Sequence, residues 1–125
     1  MQPLKNICTD FEEWPSRWMG ADKDLEYGRK LLEELRPFAE EIASSGLSKK
    51  TITKHIDNLW LIGGEIIRDV SLNEKCHEPP IKILEKSVDE YGGPYCRHLY
   101  TDNEKRSYDS TCKKLAKFLA SRNNG

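Results

Sequence analysis

Lysines gather at two places in this chain, and both groups lie in segments with a helical pattern. A helix N-terminus presents free N–H groups and the positive end of a dipole, so lysines beside it favour phosphate binding. The alternative is that these lysines only make the surface soluble. The residues predicted to contact nucleic acid are, in the first group, Lys49, Lys50, Thr51, Lys54 and His55, and in the second, Lys113, Lys114 and Lys117.

Cysteine and histidine form two close pairs that could in principle bind zinc. Cys76 is followed directly by His77, and Cys96 is separated from His98 by one residue. Zinc sites usually space such ligands by two to four residues, so this spacing does not match. The sequence therefore predicts no metal site, and an enzyme with a Cys/His metal centre is only a third interpretation.

Nucleophilic side chains are present but lack the surroundings that catalysis needs. Tyr100 and Tyr108 lie near Arg97, yet a tyrosine nucleophile normally draws its base and its positive charges from distant parts of the chain. Cys112 falls on an apolar helix face, where a thiol is usually inert. We therefore expect no catalytic residue and no cofactor, and the sequence predicts a non-enzymatic binding protein.

The composition indicates one folded domain. Of the 125 residues, 37% are hydrophobic and 33% are charged, which is enough apolar material for a core without disulfides. No apolar run approaches 18 residues, and no export signal is evident. We therefore expect a cytoplasmic protein with no membrane partner and with its four cysteines reduced.

Charge is distributed unevenly although the net charge is only −1. Residues 1–47 hold 6 basic and 10 acidic side chains, residues 48–100 hold 8 of each, and residues 101–125 hold 6 and 3. The acidic front and the basic tail could attract each other, or the tail could leave a basic surface for an anionic partner.

Helical periodicity covers most of the chain, and no segment favours a strand. The sequence predicts an all-α, single-domain bundle of five or six helices, with residues 1–21 as an N-terminal arm and 22–121 as the helical core. Pro37 is expected to kink or divide the helix that contains it. The predicted helices are one short helix within 1–21, then 22–45, 49–71, 81–91 and, after a loop and an Asp102 cap, 102–121.

The central element is predicted to be the helix over 49–71. If Ile52 defines one face, then Ile56, Leu59, Gly63, Ile66 and Val70 fall within about 40° of it. The middle of this helix is apolar nearly all round, with Trp60 widening the stripe, so other helices should surround it. Because Gly63-Gly64 costs helix propensity, a close approach over Gly63 should offset that cost, and a break there is the alternative.

The N-terminal arm contains three aromatic side chains at helical spacing. Phe11, Trp14 and Trp18 would share one face of a short helix, with Asp10 as a possible cap. One interpretation is that this helix packs on the body of the protein. The other is that the three aromatic residues dock on a protein partner.

Two segments carry a family resemblance. Residues 46–60, GLSKKTITKHIDNLW, resemble the GLS-x-x-T-I-x-x-h-x-x-x-L segment in the N-terminal core-binding (SAM-like) domain of tyrosine recombinases and phage integrases. Residues 110–121, STCKKLAKFLAS, are similar to a later T-x-x-x-L-x-x-L-x-x-F-L helix of that family. The resemblance implies helices that clasp DNA through its backbone, with Lys49, Lys50, Thr51 and Lys54 near phosphates. A catalytic domain would follow in a recombinase, so strand cleavage is not expected.

Two functional hypotheses follow from these observations. The first is a small protein that contacts DNA through the two lysine groups. The second is a protein-interaction module, such as an antitoxin-like protein, an inhibitor or an accessory subunit, that uses the acidic and aromatic N-terminal region. We do not expect the sequence to reveal the partner or the oligomeric state.

Overall fold

The computed structural model describes residues 3–124, with side chains as far as residue 122. This part of the chain forms six α-helices and no strand, which confirms the prediction of an all-α bundle. A short 3-10 turn at Phe11–Glu13 precedes the second helix. The helices are α1 Leu4–Ile7, α2 Trp14–Trp18, α3 Lys23–Ala43, α4 Lys49–Leu72, α5 Pro80–Ser87 and α6 Asp102–Asn124.

Helix α4 is the centre of the bundle, as its all-round apolar pattern predicts. It packs against α2, α3, α5 and α6, which leave one outer face of the helix exposed. The side chains with no exposed surface come mainly from α3, α4 and α6 and form one core. They include Leu31, Leu35, Ala39, Leu59, Ile62, Cys112 and Leu115.

Helix α4 runs without a break through Gly63-Gly64, so the predicted continuous helix is confirmed. Ser48 caps it, because the Ser48 hydroxyl accepts a hydrogen bond from the Thr51 amide at 3.2 Å. The side chain that approaches Gly63 is the indole of Trp18 at the end of α2, which provides the expected close approach. A Cβ at Gly63 would lie 2.3 Å from Trp18 Cζ2, so only glycine leaves room for this ring.

Helix α3 contains Pro37 but is not divided there. It continues as one helix from Lys23–Ala43, although Pro37 cannot donate a hydrogen bond to the Glu33 carbonyl. Phe38 and Ala39, directly after the proline, are buried in the core. Burial of this apolar face stabilises the segment as a helix despite the lost bond. Of the two expected outcomes, a kink or a division, the division does not occur.

Helix α5 ends at Ser87, four residues before the predicted end at residue 91. Val88 is extended, and the amides of Asp89 and Gly92 each donate to the carbonyl of the other residue. The Asp89 carboxylate also accepts a hydrogen bond from the Tyr91 amide at 2.8 Å. This turn leaves Tyr91, the last residue of the predicted helix, outside α5 and 80% exposed.

Helix α6 is capped by Thr101, one residue before the predicted cap at Asp102. The Thr101 hydroxyl accepts from the Glu104 amide at 3.1 Å, and the Glu104 carboxylate accepts from the Thr101 amide at 2.9 Å. This reciprocal pair is a capping box. The helix then extends to Asn124, beyond the predicted end at residue 121.

The N-terminal segment packs on α3 and α4, which confirms the interpretation that it packs on the body of the protein. Phe11 lies in the 3-10 turn and not in the same helix as the two tryptophans of α2. Phe11 and Trp14 are each only 2% exposed, and their ring centroids are 4.5 Å apart. Arg36 of α3 holds this segment from outside, because Arg36 Nη2 donates to Glu12 at 2.9 Å and to Glu33 at 2.8 Å.

Two observations concern the wider properties of the chain. None of the helices within residues 3–124 has both the length and the apolar composition needed to cross a membrane. The four cysteines, at positions 8, 76, 96 and 112, are free thiols, in keeping with the expected reduced state.

Candidate functional site

The first turn of α4 presents backbone N–H groups and two lysines to solvent. The first bond donated within the helix runs from the Ile52 amide to the Ser48 carbonyl, and the Thr51 amide is used by the cap. The amides of Lys49 and Lys50 therefore lack an intrahelical acceptor, as is usual in a first turn. The side chains of both lysines are exposed, so this turn can offer amides and ammonium groups to the same anion.

The packing of α6 on α4 brings the second lysine group to the same end of the bundle. Asn58 bonds Ser107, and His55 bonds Thr111, so the two helices are antiparallel. In this register the turn of α6 that follows Thr111 lies beside the first turns of α4. Lys114 and Lys117 line a groove with Glu41 at the C-terminal end of α3, close to the chain reversal that leads into Lys49.

The lysines of α6 and α4 differ in their acidic neighbours. Lys113 lines a groove with Glu85, Asp89 and Glu90 on the α5 side of the bundle, away from α4. Lys54 lines another groove with Asp57 and Glu104. Four lysines of the two groups remain at the end of the bundle, and Arg122 lies with them on Phe118. Lys114 and Lys117 share their groove with one carboxylate, Glu41. This basic end consists of Lys49, Lys50, Lys114, Lys117 and Arg122.

The side chains of the basic end are free to contact a ligand. Within residues 3–122, none of these five cations has a carboxylate within ion-pair distance. The guanidinium of Arg122 lies 5.6 Å from the centroid of the Phe118 ring, which itself packs against Phe38. This cation–π contact holds Arg122 near the lysines without neutralising its charge.

His55 lies inside the bundle, which corrects its assignment to the binding surface. Its side chain is only 6% exposed, and its Nδ1 lies 2.7 Å from the Thr111 hydroxyl. Asn58 donates to the same hydroxyl at 3.0 Å and to Ser107 at 3.0 Å. His55 therefore joins α4 to α6 through a buried polar network and does not reach an external phosphate. The burial of His55 could have been predicted from the sequence, because His55 directly precedes Ile56, which lies on the buried face of the helix.

The surroundings of His55 favour its neutral form. Burial lowers the pKa of the His55 imidazole, and the positive charge of nearby Lys114 lowers it further. A neutral imidazole has one donor and one acceptor nitrogen, which suits a bond to the Thr111 hydroxyl.

The Thr51 hydroxyl, which was also assigned to the binding surface, already accepts a hydrogen bond from Ser48 at 2.9 Å.

The three aromatic residues that were assigned to a protein partner make their contacts within the protein itself. Phe11 and Trp14 are buried, so they are not available to a partner in this fold. Trp18 is partly exposed, and its Nε1 donates to the Trp60 carbonyl at 3.0 Å. Only Trp18 therefore reaches the surface, where it forms one wall of a groove.

The sequence interpretation missed the residues that line this groove with Trp18. Trp60 was assigned to the apolar stripe but is 39% exposed, and Arg68 and Arg97 lie on the same groove although they are 29 residues apart. The regular spacing of Trp60, Gly64 and Arg68 at four residues would have placed these three on one helix face. The approach of Arg97 depends on the loop, which has no such periodicity.

The chemistry of the remaining candidate residues favours structural roles. Among the residues that the structure describes, no three His, Cys, Asp or Glu side chains are grouped so that they could hold a metal ion. Burial raises the pKa of the Cys112 thiol to about 12, which keeps it protonated. Tyr108 is buried and donates to the Pro94 carbonyl at 2.8 Å, so its hydroxyl anchors the loop.

Comparisons with known proteins add no family to this description. Searches against protein-family models, curated proteins and solved structures found no match to the chain.

Proposed function

We propose that this protein is a small non-enzymatic binding protein that contacts the phosphate backbone of DNA through its basic end. The observation that carries the proposal is the grouping of five unpaired cations at one end of the bundle, beside the exposed N–H groups of α4. The likeness of residues 46–60 to the core-binding domain of tyrosine recombinases supports the same ligand.

Each part of the basic end has a distinct task in this proposal. The amides of Lys49 and Lys50 donate hydrogen bonds to the nearest phosphate, where the dipole of the 24-residue helix α4 favours a negative charge. Lys114 and Lys117 contact phosphates further along the same strand. Such contacts fix the position of the protein on the duplex but carry no sequence information. The proposed binding is therefore insensitive to base sequence.

The net charge of −1 limits how strong this binding can be. Acidic residues elsewhere on the surface repel the duplex, so only the basic end is expected to approach it. Lys54 and Lys113, with carboxylates in their grooves, contribute less than the other lysines because those carboxylates offset their charge.

The experiment measures binding of a fluorescein-labelled 20-base-pair duplex by anisotropy at low salt. Replacement of Lys49, Lys50, Lys114 and Lys117 by glutamine should weaken binding by at least about 100-fold, since each lost phosphate contact removes a released counterion. A second duplex of unrelated sequence should give the same result.

The matched control removes the same charge from other exposed positions. Replacement of Lys5, Lys23, Lys30 and Lys105 by glutamine gives an identical net charge, and none of these four has a carboxylate within ion-pair distance in the part of the chain described. Equal weakening by the two variants would show a general charge effect and would refute a localised site.

A further inference from the structure

A groove on the side of the bundle combines tryptophan, arginine and an exposed leucine. It encloses about 470 Å³ between the end of α2, the outer face of α4 and the loop at residues 97–98. We name it the arginine–tryptophan groove. The residues that define it are Arg17, Trp18, Trp60, Arg68, Leu72 and Arg97.

The floor of the groove is a partly exposed stripe on α4, with Trp18 of α2 along one side. Trp60, Gly64, Arg68 and Leu72 follow each other at intervals of four residues, so they share one face of the helix. Trp60 is 39% exposed and Leu72 is 67% exposed. From Trp60 to Leu72 the stripe spans about 18 Å, which is long enough for a short polypeptide segment.

The wall of the groove is held in place by contacts inside the protein. The Trp18 ring lies against Gly63, and its Nε1 donates to the Trp60 carbonyl at 3.0 Å. The same ring also lies beside Gly64, where an added Cβ would be 3.4 Å from Trp18 Cδ1. The groove is therefore a preformed surface with little conformational cost on binding.

The exposed charge of the groove is positive. Two carboxylates also line the groove: Asp24 is buried and accepts the amides of Gly20 and Ala21, and Glu65 is half-buried beside the Cys96 thiol. Arg68 and Arg97 are exposed and make no ion pair within residues 3–122. Two guanidinium groups are thus available for carboxylates of a ligand.

The composition favours a protein ligand over a nucleic acid. Tryptophan, tyrosine and arginine are the residues enriched where proteins bind each other most strongly. The loop that supplies Arg97 also exposes Tyr95 and Tyr100, at 85% and 79%. Leu72 offers an aliphatic surface that suits an apolar side chain but contributes nothing to a phosphate or to a hydrogen bond with a base.

We infer that the arginine–tryptophan groove binds an acidic, amphipathic segment of a partner protein. Its carboxylates contact Arg68 and Arg97, and its apolar side chains pack on Trp60 and on Leu72. This surface lies apart from the basic end, so the inference does not depend on DNA binding.

The experiment selects ligands from a random library of 12-residue displayed peptides on the immobilised full chain. The peptides selected should be rich in Asp and Glu with Leu or aromatic residues between them. Binding of the most frequent peptide, labelled with fluorescein, is then measured by anisotropy. Arg68→Gln combined with Arg97→Gln should weaken binding by at least about tenfold, as expected for lost hydrogen bonds to charged groups.

Two controls separate the inference from its alternatives. Arg29→Gln combined with Arg106→Gln removes two exposed arginines outside the groove and should leave peptide binding unchanged. Leu72→Gln should weaken binding and leave folding intact, because Leu72 is mostly exposed. Failure to select any peptide, selection of basic peptides, or binding that does not depend on Arg68 and Arg97 would overturn the inference. So would a single-stranded oligonucleotide that competes through the same arginines with higher affinity.

Discussion

At the scale of single residues, neighbours along the chain have opposite environments. Lys54 and His55 are adjacent, yet Lys54 is exposed and His55 is buried against Thr111. Both residues were assigned from the sequence to one basic cluster, because the density of charge along the chain does not show the direction in which each side chain points. The helical wheel separates them, since His55 lies next to the buried stripe of Ile52 and Ile56. The basic character of this turn was predictable, and the polar partner on α6 was not.

The buried histidine predicts a pH dependence of stability. Burial lowers the folded-state pKa of His55 below its ordinary value of 6.5, so the unfolded chain binds more protons in the interval between the two values. The contribution of neutral His55 is therefore fully present above about pH 6.5 and declines as the pH falls below it. Urea denaturation at several pH values between 7.5 and 5.5 measures this decline.

A comparison of variants isolates the histidine. His55→Gln should lose this part of the pH dependence, whereas His77→Gln, at an exposed position, should keep it. Carboxylates titrate equally in all three proteins, so the difference between the curves reports His55 alone. Parallel curves for the wild type and His55→Gln would contradict the buried neutral imidazole.

At the scale of elements, the structure depends on a contact between two helices that are far apart in sequence. The spacing of apolar residues predicts α3, α4 and α6 because each has a long periodic face. It does not predict that the Trp18 indole fills the space over Gly63, since no local pattern encodes that pairing. Short elements also escape prediction: α1 has four residues, and the end of α5 depends on the Asp89 turn.

The two adjacent glycines of α4 should respond in opposite ways to alanine. Gly63→Ala would place a Cβ 2.3 Å from the Trp18 ring, and the resulting overpacking costs about 1–3 kcal/mol, more than the gain in helix propensity. Gly64→Ala would place its Cβ at an ordinary 3.4 Å from Trp18, so it should stabilise the protein by roughly 0.5–1 kcal/mol. Denaturant unfolding of both variants measures the difference. A stabilising Gly63→Ala would contradict the position of Trp18.

The cap of α6 gives a second test at this scale. Thr101→Ala removes the hydroxyl that accepts the Glu104 amide and should lower the free energy of unfolding by about 1 kcal/mol. Asp102→Asn keeps the capping box and loses only a favourable charge near the helix start, so its cost should be about 0.3–0.5 kcal/mol. Thermal unfolding distinguishes the two, and a larger cost for Asp102→Asn would show that Asp102 is the cap after all.

At the scale of the whole molecule, two separate surfaces carry unpaired positive charge. The basic end collects lysines from α4 and α6, and the arginine–tryptophan groove collects arginines from α4 and the loop before α6. The sequence indicated the lysine groups because each is local. The antiparallel packing of α4 and α6 places the two lysine groups at one end of the bundle. The groove depends on Arg97, which lies in a loop that has no periodic pattern. An overall charge near zero therefore conceals both surfaces.

The most direct test of DNA binding by the basic end is the salt dependence of the association constant. For the wild type, the logarithm of this constant should fall with the logarithm of salt concentration with a slope of about −4.5, as five phosphate contacts imply. Replacement of Lys49, Lys50, Lys114 and Lys117 by glutamine should reduce the slope to about −1, while the Lys5, Lys23, Lys30 and Lys105 control keeps it. An unchanged slope in the first variant, or no binding at about 50 mM salt, would contradict the proposal.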